Sequence, residues 1–196
     1  MLCGENLNNK LNIEKSSCGP RKLFFTSDTH FGHANIIKSC NRPFHNANHH
    51  DEELILRWNT VVPVDGTVYH LGDFCWGNER RASYIISRLN GKIIVVKGNH
   101  DKALKGVVIT QIELVGSYHE VFVQDPDVRD GKQHIVLCHY PFESWNKKHW
   151  GSLHLHGHTH KPDPIGMANR INVGVDLHDF TPVSYAQIKS MGKEAV

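Results

Sequence analysis

The sequence predicts a protein of the α/β class, in which strands and helices alternate before a second, more mixed sheet. Up to residue 101, apolar runs of strand length alternate with segments of helical periodicity, which is typical of βαβ units and a largely parallel sheet. After residue 101, short strand-like runs are separated by turns rich in Gly and Pro. With 196 residues, 39% of them hydrophobic, the chain can bury one substantial core.

The first half of the chain contains three predicted strands and two predicted helices. The first helix places Leu54, Trp58 and Val61 at positions i, i+4 and i+7, so these side chains share one face. The second helix begins after Asn78, a residue type that favours the N-cap position. The predicted strands are 22–27, 67–72 and 92–98, and the first helix is predicted over 51–62.

The second half is predicted to form short strands in one domain with the first half. The apolar runs lie at 118–124, 134–139, 153–157 and 170–175. Because the sequence contains no linker, internal repeat or low-complexity segment between the halves, we expect a single domain over 21–196. Residues 1–20 are polar and lack the apolar core of a signal peptide, so we expect a flexible N-terminal leader there.

The composition excludes several classes of protein. A net charge of +2 gives no field that would attract nucleic acid or a membrane surface. The sequence has no apolar stretch of the roughly 20 residues that cross a bilayer. The five cysteines are odd in number and lack C-x-x-C spacing, which favours a reducing cytoplasm over a disulfide framework. The 16 histidines are a surplus that indicates a metal or acid–base site.

Polar side chains with metal-binding chemistry follow five of the apolar runs, at the point where each run ends. Ligands of an open α/β sheet bind at the carboxyl ends of its strands, so we expect these side chains to face one cleft. A turn can use Gly, Asn or Asp but has no need of His, and the repeated ending therefore indicates a site. The seven residues are Asp28, His30, Asp73, Asn99, His139, His158 and His160.

These seven side chains offer carboxylate, amide and imidazole ligands without thiolate. Such a set suits Mn²⁺, Fe and Zn²⁺ better than a structural cysteine–zinc site. Seven ligands are too many for one tetrahedral ion and suit two ions that share a bridging carboxylate. Two divalent ions about 3.5–4 Å apart can generate a hydroxide nucleophile and hold the oxygens of a phosphoryl group. His100 is left as a candidate acid–base catalyst, with Asp101 beside it to orient the ring.

The order of these residues resembles the calcineurin-like metallophosphoesterases. Five blocks occur in the order of that family between Asp28 and His160: D-x-H, G-D, G-N-H-D, a single H and G-H-x-H. The segments D-x-H-F-G-H from Asp28 and N-R-P-F from Asn41 also resemble a subset of small bacterial and phage-type phosphoesterases. Each block alone is weak evidence for this family, whereas the five blocks in the same order are strong evidence for it.

The resemblance implies a four-layer α/β/β/α sandwich of two mixed sheets flanked by helices, with a dinuclear metal site at the strand ends. It also implies that His100 contacts the phosphate and protonates the leaving oxygen, while Asp101 fixes the His100 tautomer. By position, it implies that the first ion is bound by Asp28, His30 and His160. It implies that the second ion is bound by Asn99, His139 and His158, and that Asp73 bridges both ions.

The expected activity is hydrolysis of a phosphomonoester or phosphodiester by attack of a metal-bound hydroxide. The expected cofactors are two divalent metal ions, manganese first, with iron, zinc or nickel as alternatives. We expect the partner to be a small phosphorylated substrate, with a nucleotide or nucleic acid as further candidates, and no membrane. The same ligands serve monoesters and diesters, so both classes of substrate stay open.

Three residues are candidates for contact with the substrate. His33 lies beside the first block and Arg42 could hold a phosphate oxygen with its guanidinium, while Asn99 combines metal and substrate contact. The alternatives are a histidine that packs in its loop for His33 and a surface salt bridge for Arg42. For Asp101, the alternative is a cap on the following helix.

Two other functions fit the same sequence. A nuclease or cyclic-nucleotide phosphodiesterase would need a basic groove, which the net charge of +2 does not obviously provide. A non-catalytic interaction module on the same fold, as in the related retromer subunit, typically lacks the histidine of the G-N-H-D block. His100 is present here, which favours the enzyme.

Overall fold

The computed structural model describes residues 13–15, 22–164 and 167–194. Within them the chain forms two five-stranded mixed sheets flanked by helices, so the predicted α/β sandwich is confirmed. In the described residues, we found no helix long and apolar enough to cross a membrane.

The first sheet carries most of the parallel strands predicted from the first half. Its strand order is β10-β2-β3-β4-β5, with β2 to β5 parallel and β10 antiparallel to β2. The strands are β2 (Leu23–Thr26), β3 (Thr67–His70), β4 (Lys92–Val95), β5 (Ile112–Leu114) and β10 (Val183–Ser184). The two short edge strands, β5 and β10, were not predicted.

The second sheet has the order β1-β6-β7-β8-β9. Strands β6 and β7 pair as an antiparallel hairpin, and the other neighbours are parallel. The strands are β1 (Ile13–Lys15), β6 (Tyr118–Gln124), β7 (Lys132–Cys138), β8 (Leu153–His156) and β9 (Arg170–Asn172). Three residues of the predicted leader over 1–20 therefore form β1, whose backbone pairs with β6, and the rest of the leader lies outside the described residues.

Four α-helices complete the fold of the described residues: α1 (Ala34–Ser39), α2 (Ala47–Val61), α3 (Glu79–Ile86) and α4 (Tyr185–Glu194). Asn78 caps α3 as predicted, because its side chain accepts a hydrogen bond from the Arg81 N–H. Helix α2 begins earlier than predicted because Asn46 caps it through the His49 N–H. Helices α1 and α4 were not predicted.

Two apolar cores lie on opposite faces of the first sheet. Phe24 and Val68 belong to a core that α2 and α3 close from outside. Their neighbours Phe25 and Tyr69 belong to the core between the two sheets, to which α4 contributes Tyr185. Alternation along the strands produces this division, since successive side chains point to opposite faces. The first sheet is therefore buried on both sides, and its functional groups must lie at the strand ends.

The carboxyl ends of the parallel strands in the two sheets meet at one edge of the sandwich. Ser27, just after β2, makes a parallel bridge to Gly174, just after β9. The Gly157 N–H, just after β8, donates to the carbonyl of His139, just after β7. These links hold the loops of both sheets next to one another.

Candidate metal centre

The structure brings all seven predicted metal ligands to this shared edge. Each follows a strand: β2, β3 and β4 of the first sheet, then β7 and β8 of the second. The site has a buried floor and an open rim. Asp28, His30, Asp73 and His139 are buried, His160 is half-buried, and Asn99 and His158 are exposed.

The first group of ligands combines Asp28, His30 and His160, which present ligand atoms that all lie within 4.8 Å of one another. The distance from His160 Nε2 to Asp28 Oδ1 is 3.9 Å. Asp28 Oδ1 and His30 Nε2 are buried and have no hydrogen-bond partner among the described residues. Buried polar atoms are normally paired, so these two atoms fit a site whose partner is a cation.

The second group lies on the other side of Asp73. His139 Nε2 is 2.9 Å from Asn99 Oδ1 and 3.2 Å from His158 Nδ1. Asp73 Oδ2 is 3.5 Å from His30 Nε2 and also 3.5 Å from His139 Nε2. The Asp73 carboxylate therefore lies between the two groups, at the position that a ligand shared by two ions would occupy.

Hydrogen bonds outside the ligand groups orient two of the imidazoles. His139 Nδ1 lies 2.8 Å from the Leu71 carbonyl, and His160 Nδ1 lies 2.7 Å from Asp176 Oδ2. When Nδ1 donates in each of these contacts, Nε2 is left as the lone-pair nitrogen that faces the site. Metal-ligating histidines are usually held by such an outer contact.

The backbone of the site is unusual, because most of the ligands occupy the left-handed region of φ. Non-glycine residues rarely adopt this conformation, and it is concentrated at functional sites. The ligands concerned are Asp28 (59°), His30 (50°), Asp73 (58°), His158 (70°) and His160 (53°). The sharp turns at these residues direct each side chain into the site immediately after its strand ends.

Two glycines of the sequence blocks are explained by close approach. A Cβ on Gly157 would lie 2.1 Å from Ser27 Oγ and 2.2 Å from Asp28 Oδ2. A Cβ on Gly98 would lie 2.5 Å from Asp73 Oδ1. Side chains at these positions would displace the candidate ligands Asp28 and Asp73, so the glycines of G-N-H-D and G-H-x-H are required by space.

Burial shifts the pKa values of two buried candidate ligands, His30 and Asp28. Burial, reinforced by nearby Arg42 and His160, lowers the pKa of His30 to about 2, so the ring is neutral and able to bind a metal. Burial also raises the pKa of Asp28, although His139 and His160 oppose it. A buried carboxylate in this situation lacks charge compensation, which a bound cation would supply.

His100 and Asp101 have different roles from each other. The His100 N–H donates to Asp73 Oδ1 at 2.8 Å, and its half-buried ring lies 5.8 Å from the His30 ring, between centroids. Among the described residues the His100 ring has no hydrogen-bond partner, so the predicted contact with Asp101 is wrong. The Asp101 carboxylate instead accepts N–H groups of three residues of the metal loops: Asp73 (3.0 Å), Phe74 (2.8 Å) and Gly98 (2.6 Å). Asp101 therefore joins the loops after β3 and β4.

His33 lies at the rim beside the first group. Its Nδ1 is 3.4 Å from His30 Nδ1, and its ring stacks on Trp76 with 4.4 Å between centroids and 10° between planes. The ring is half-buried. The prediction of substrate contact stays a prediction, with Trp76 as an aromatic neighbour that the sequence reasoning did not identify.

Arg42 is not available to a phosphate. Its buried guanidinium donates to Asp176 through Nε and Nη2, both at 2.8 Å. The remaining N–H groups face the Asp28 carbonyl (2.7 Å), the Thr29 carbonyl (3.1 Å) and His50 Nε2 (2.8 Å). Because all five donors of an arginine are thus used, the predicted phosphate contact is replaced by a positioning role.

Arg42 acts on the first group through Asp176. Burial alone would raise the pKa of Asp176, but hydrogen bonds from His160 and Arg42 outweigh it and hold the pKa below its ordinary value. The charged Asp176 carboxylate then fixes His160 Nδ1. The sequence could not reveal this contact, because Arg42 and Asp176 are 134 positions apart.

We expect Arg42→Met to lower the free energy of unfolding by about 3–5 kcal/mol, because it leaves the Asp176 charge in a largely buried place without its partner. Arg57→Met is the matched control. The guanidinium carbon of Arg57 lies 5.9 Å from the centroid of the Phe180 ring, and that of Arg42 lies 5.7 Å from the same centroid. The Arg57 side chain is partly exposed, however. Its loss should cost about 1 kcal/mol or less. Urea unfolding measures both, and equal losses would contradict the positioning role.

The fold and the site together define an α/β sandwich protein with a candidate dinuclear metal centre at the carboxyl ends of its strands. No family model matches the chain. It is 36% identical over 170 residues to the uncharacterized protein MJ1445 of Methanocaldococcus jannaschii, covering 84% of this chain and 87% of that protein. The chain therefore belongs to the same family as MJ1445.

Two further relatives lie at greater distance. The Gene 66 protein of Mycobacterium phage L5 is 28% identical over 179 residues, covering 78% of this chain and 86% of its own. Among solved structures, the protein of unknown function AQ665 from Aquifex aeolicus has a TM-score of 0.64 and 26% identity. That match covers 86% of this chain and 97% of AQ665, so the fold described above is shared over nearly all of that protein.

Proposed function

We propose that this protein is a dinuclear-metal-dependent phosphoesterase of the calcineurin-like type, which hydrolyses a phosphomonoester or phosphodiester. The observation that carries the proposal is the position of Asp73. Its Oδ2 lies 3.5 Å from a histidine nitrogen of each ligand group, as a carboxylate shared by two ions requires. The sequence blocks that resemble this superfamily supply every ligand in the two groups.

The chemistry of the donors supports divalent ions of intermediate hardness. Carboxylate, amide and imidazole without thiolate fit Mn²⁺ first, and Fe²⁺, Zn²⁺ or Ni²⁺ also accept such ligands. When bound, two such ions supply the Lewis acidity that activates water and neutralises charge on the phosphoryl oxygens. The residues that would hold them are the first group, the second group and Asp73.

The chain itself supplies the proton. His100 is half-buried at the rim, and its backbone N–H is held by Asp73 Oδ1, so the ring is placed beside the ligand groups. Because the ring makes no hydrogen bond to a described residue, it can donate a proton to the leaving oxygen of the ester. The exposure of Asn99 and His158 leaves the site open to a small phosphorylated substrate.

The described cysteines also support action in a reducing cytoplasm. Cys40, Cys75 and Cys138 are all free thiols. Burial raises the pKa of the Cys75 thiol to about 12, which makes it inert as a nucleophile.

The direct test is hydrolysis of a matched chromogenic phosphomonoester and phosphodiester by the full chain. We expect turnover with Mn²⁺, loss of turnover with a chelator and recovery when the metal returns. Saturating metal should also raise the thermal midpoint, by roughly 5–10 °C at a free concentration about 100 times Kd. A chain that binds metal and yet hydrolyses neither ester would contradict the proposal, and the preferred ester would set the substrate class.

A further inference from the structure

Trp76 is an exposed aromatic side chain beside the candidate catalytic histidine. The residue is 46% exposed, whereas Trp58 and Trp145 are buried. Its ring centroid lies 5.4 Å from that of His100. An exposed aromatic ring beside a site offers a flat surface on which a ring of a ligand can stack.

The indole is held in place from one side. The parallel His33 ring covers one of its faces at 4.4 Å. The backbone of Trp76 is also fixed, because its main-chain N–H donates to the Phe31 carbonyl at 2.8 Å, next to a parallel bridge between Phe31 and Cys75. The ring is therefore supported by His33 on one face, while 46% of the residue stays exposed.

A cleft of about 480 Å³ lies against this platform, and its lining is Trp76, Gly77, Asn99, His100, Lys102 and Ala103. The cleft is continuous with the metal centre, because it includes the second-group ligand Asn99. His33 is not part of its lining, so the cleft borders the indole on the side that His33 does not cover. A volume of this size accommodates a ring and sugar.

Two polar side chains of the cleft bear on which kind of molecule it could bind. Lys102 is exposed and forms no ion pair with any described residue. His100, on the same wall, is the group that would face the leaving oxygen. A substrate whose phosphate reaches the metal centre would place its leaving group between His100 and Trp76, near the Lys102 ammonium.

We infer that Trp76 is the stacking floor of a nucleobase subsite, and that the substrate of the proposed phosphoesterase is a nucleotide. This inference rests on the proposed function. The base lies on the indole face turned away from His33, and the ribose borders His100. Stacking of a base on an aromatic ring changes affinity by about 5-fold to 150-fold.

The test compares AMP with ribose 5-phosphate, which differ only by the base. NMR titration of the full chain with chelator present measures binding without hydrolysis. We expect wild type to bind AMP about tenfold or more tightly than ribose 5-phosphate. Trp76→Ala should bring the ratio close to one, and Trp76→Phe should keep most of it. Trp150→Ala, which removes a tryptophan that is 82% exposed outside the cleft, should leave the ratio unchanged.

A second arm measures Mn²⁺-dependent hydrolysis of the same two esters. Hydrolysis without any preference for AMP in either arm would overturn the subsite and leave the phosphoesterase intact. A base preference in binding that Trp76→Ala removes, without hydrolysis of any ester, would support the subsite and overturn the proposed activity. O-phosphotyrosine is the third probe, and binding as tight as that of AMP would overturn the nucleotide class in favour of any aromatic ester.

Discussion

Replacing Asp73 by Asn is expected to remove stoichiometric metal binding and, with it, turnover. The substitution keeps the size of the side chain and an oxygen that can accept the His100 N–H, which now donates to Oδ1 at 2.8 Å. It removes the negative charge at Oδ2, midway between His30 and His139. The change should therefore act on both ions while it leaves the loop that carries His100 in place.

The loss should exceed the roughly 10–100-fold that removal of an outer-shell partner costs, because in the proposed centre Asp73 would be a direct ligand of both ions. Metal content after gel filtration, measured by plasma mass spectrometry, gives the stoichiometry. The thermal midpoint should rise with added Mn²⁺ in wild type and hardly move in the variant.

Asp125→Asn is the matched control for Asp73→Asn. Asp125 is also a buried carboxylate, but it pairs with Tyr185 and Lys189 away from the site, at 2.7 Å and 2.8 Å. Its replacement should leave metal content unchanged. If Asp73→Asn binds two ions as tightly as wild type does, the bridging role is wrong and the two groups act as separate sites.

The second large effect is expected from His100→Ala, with turnover reduced by about 10²–10⁴-fold and metal content unchanged. The two effects separate because His100 donates only its backbone N–H to the metal centre, and that N–H is kept in the variant. Its ring, half-buried and without a hydrogen bond to a described residue, contributes chemistry rather than structure.

Steady-state kinetics with Mn²⁺ on the preferred ester measures this prediction. His149→Ala is the control, since His149 is exposed in the turn Lys148–Trp150 and belongs to neither ligand group. An ester with a better leaving group should be less sensitive to His100→Ala, because it needs less help from a proton donor. A loss of less than threefold on both esters would contradict the catalytic role.

Much of the fold could be read from the sequence because its signals are local. The apolar runs of β2, β3 and β4 and the spacing of Leu54 and Trp58 in α2 predict the elements that form there. Asn78 caps its helix as its residue type indicates. The short elements were missed because β5 and β10 have three and two residues and offer no periodicity to detect.

The candidate metal ligands could also be predicted from the sequence. A strand that ends on Asp or His is visible without coordinates, and parallel strands deliver their ends to one edge. Five such endings in one chain therefore specify a shared site. The resemblance of the blocks to the calcineurin-like metallophosphoesterases then implies how these residues would divide between two ions.

The roles of the supporting residues were decided only by the tertiary structure. Asp101 neighbours His100 in the chain, but its carboxylate accepts backbone N–H groups of the loop after β3. Arg42 uses all five of its N–H donors in contacts with other segments of the chain. Trp76 is a candidate substrate contact because the folded chain places its ring beside His100 and against His33. Residue type and spacing determine what a side chain can bind. Which partner it has depends on loops brought together by packing, because a hydrogen bond is made to the nearest group in space.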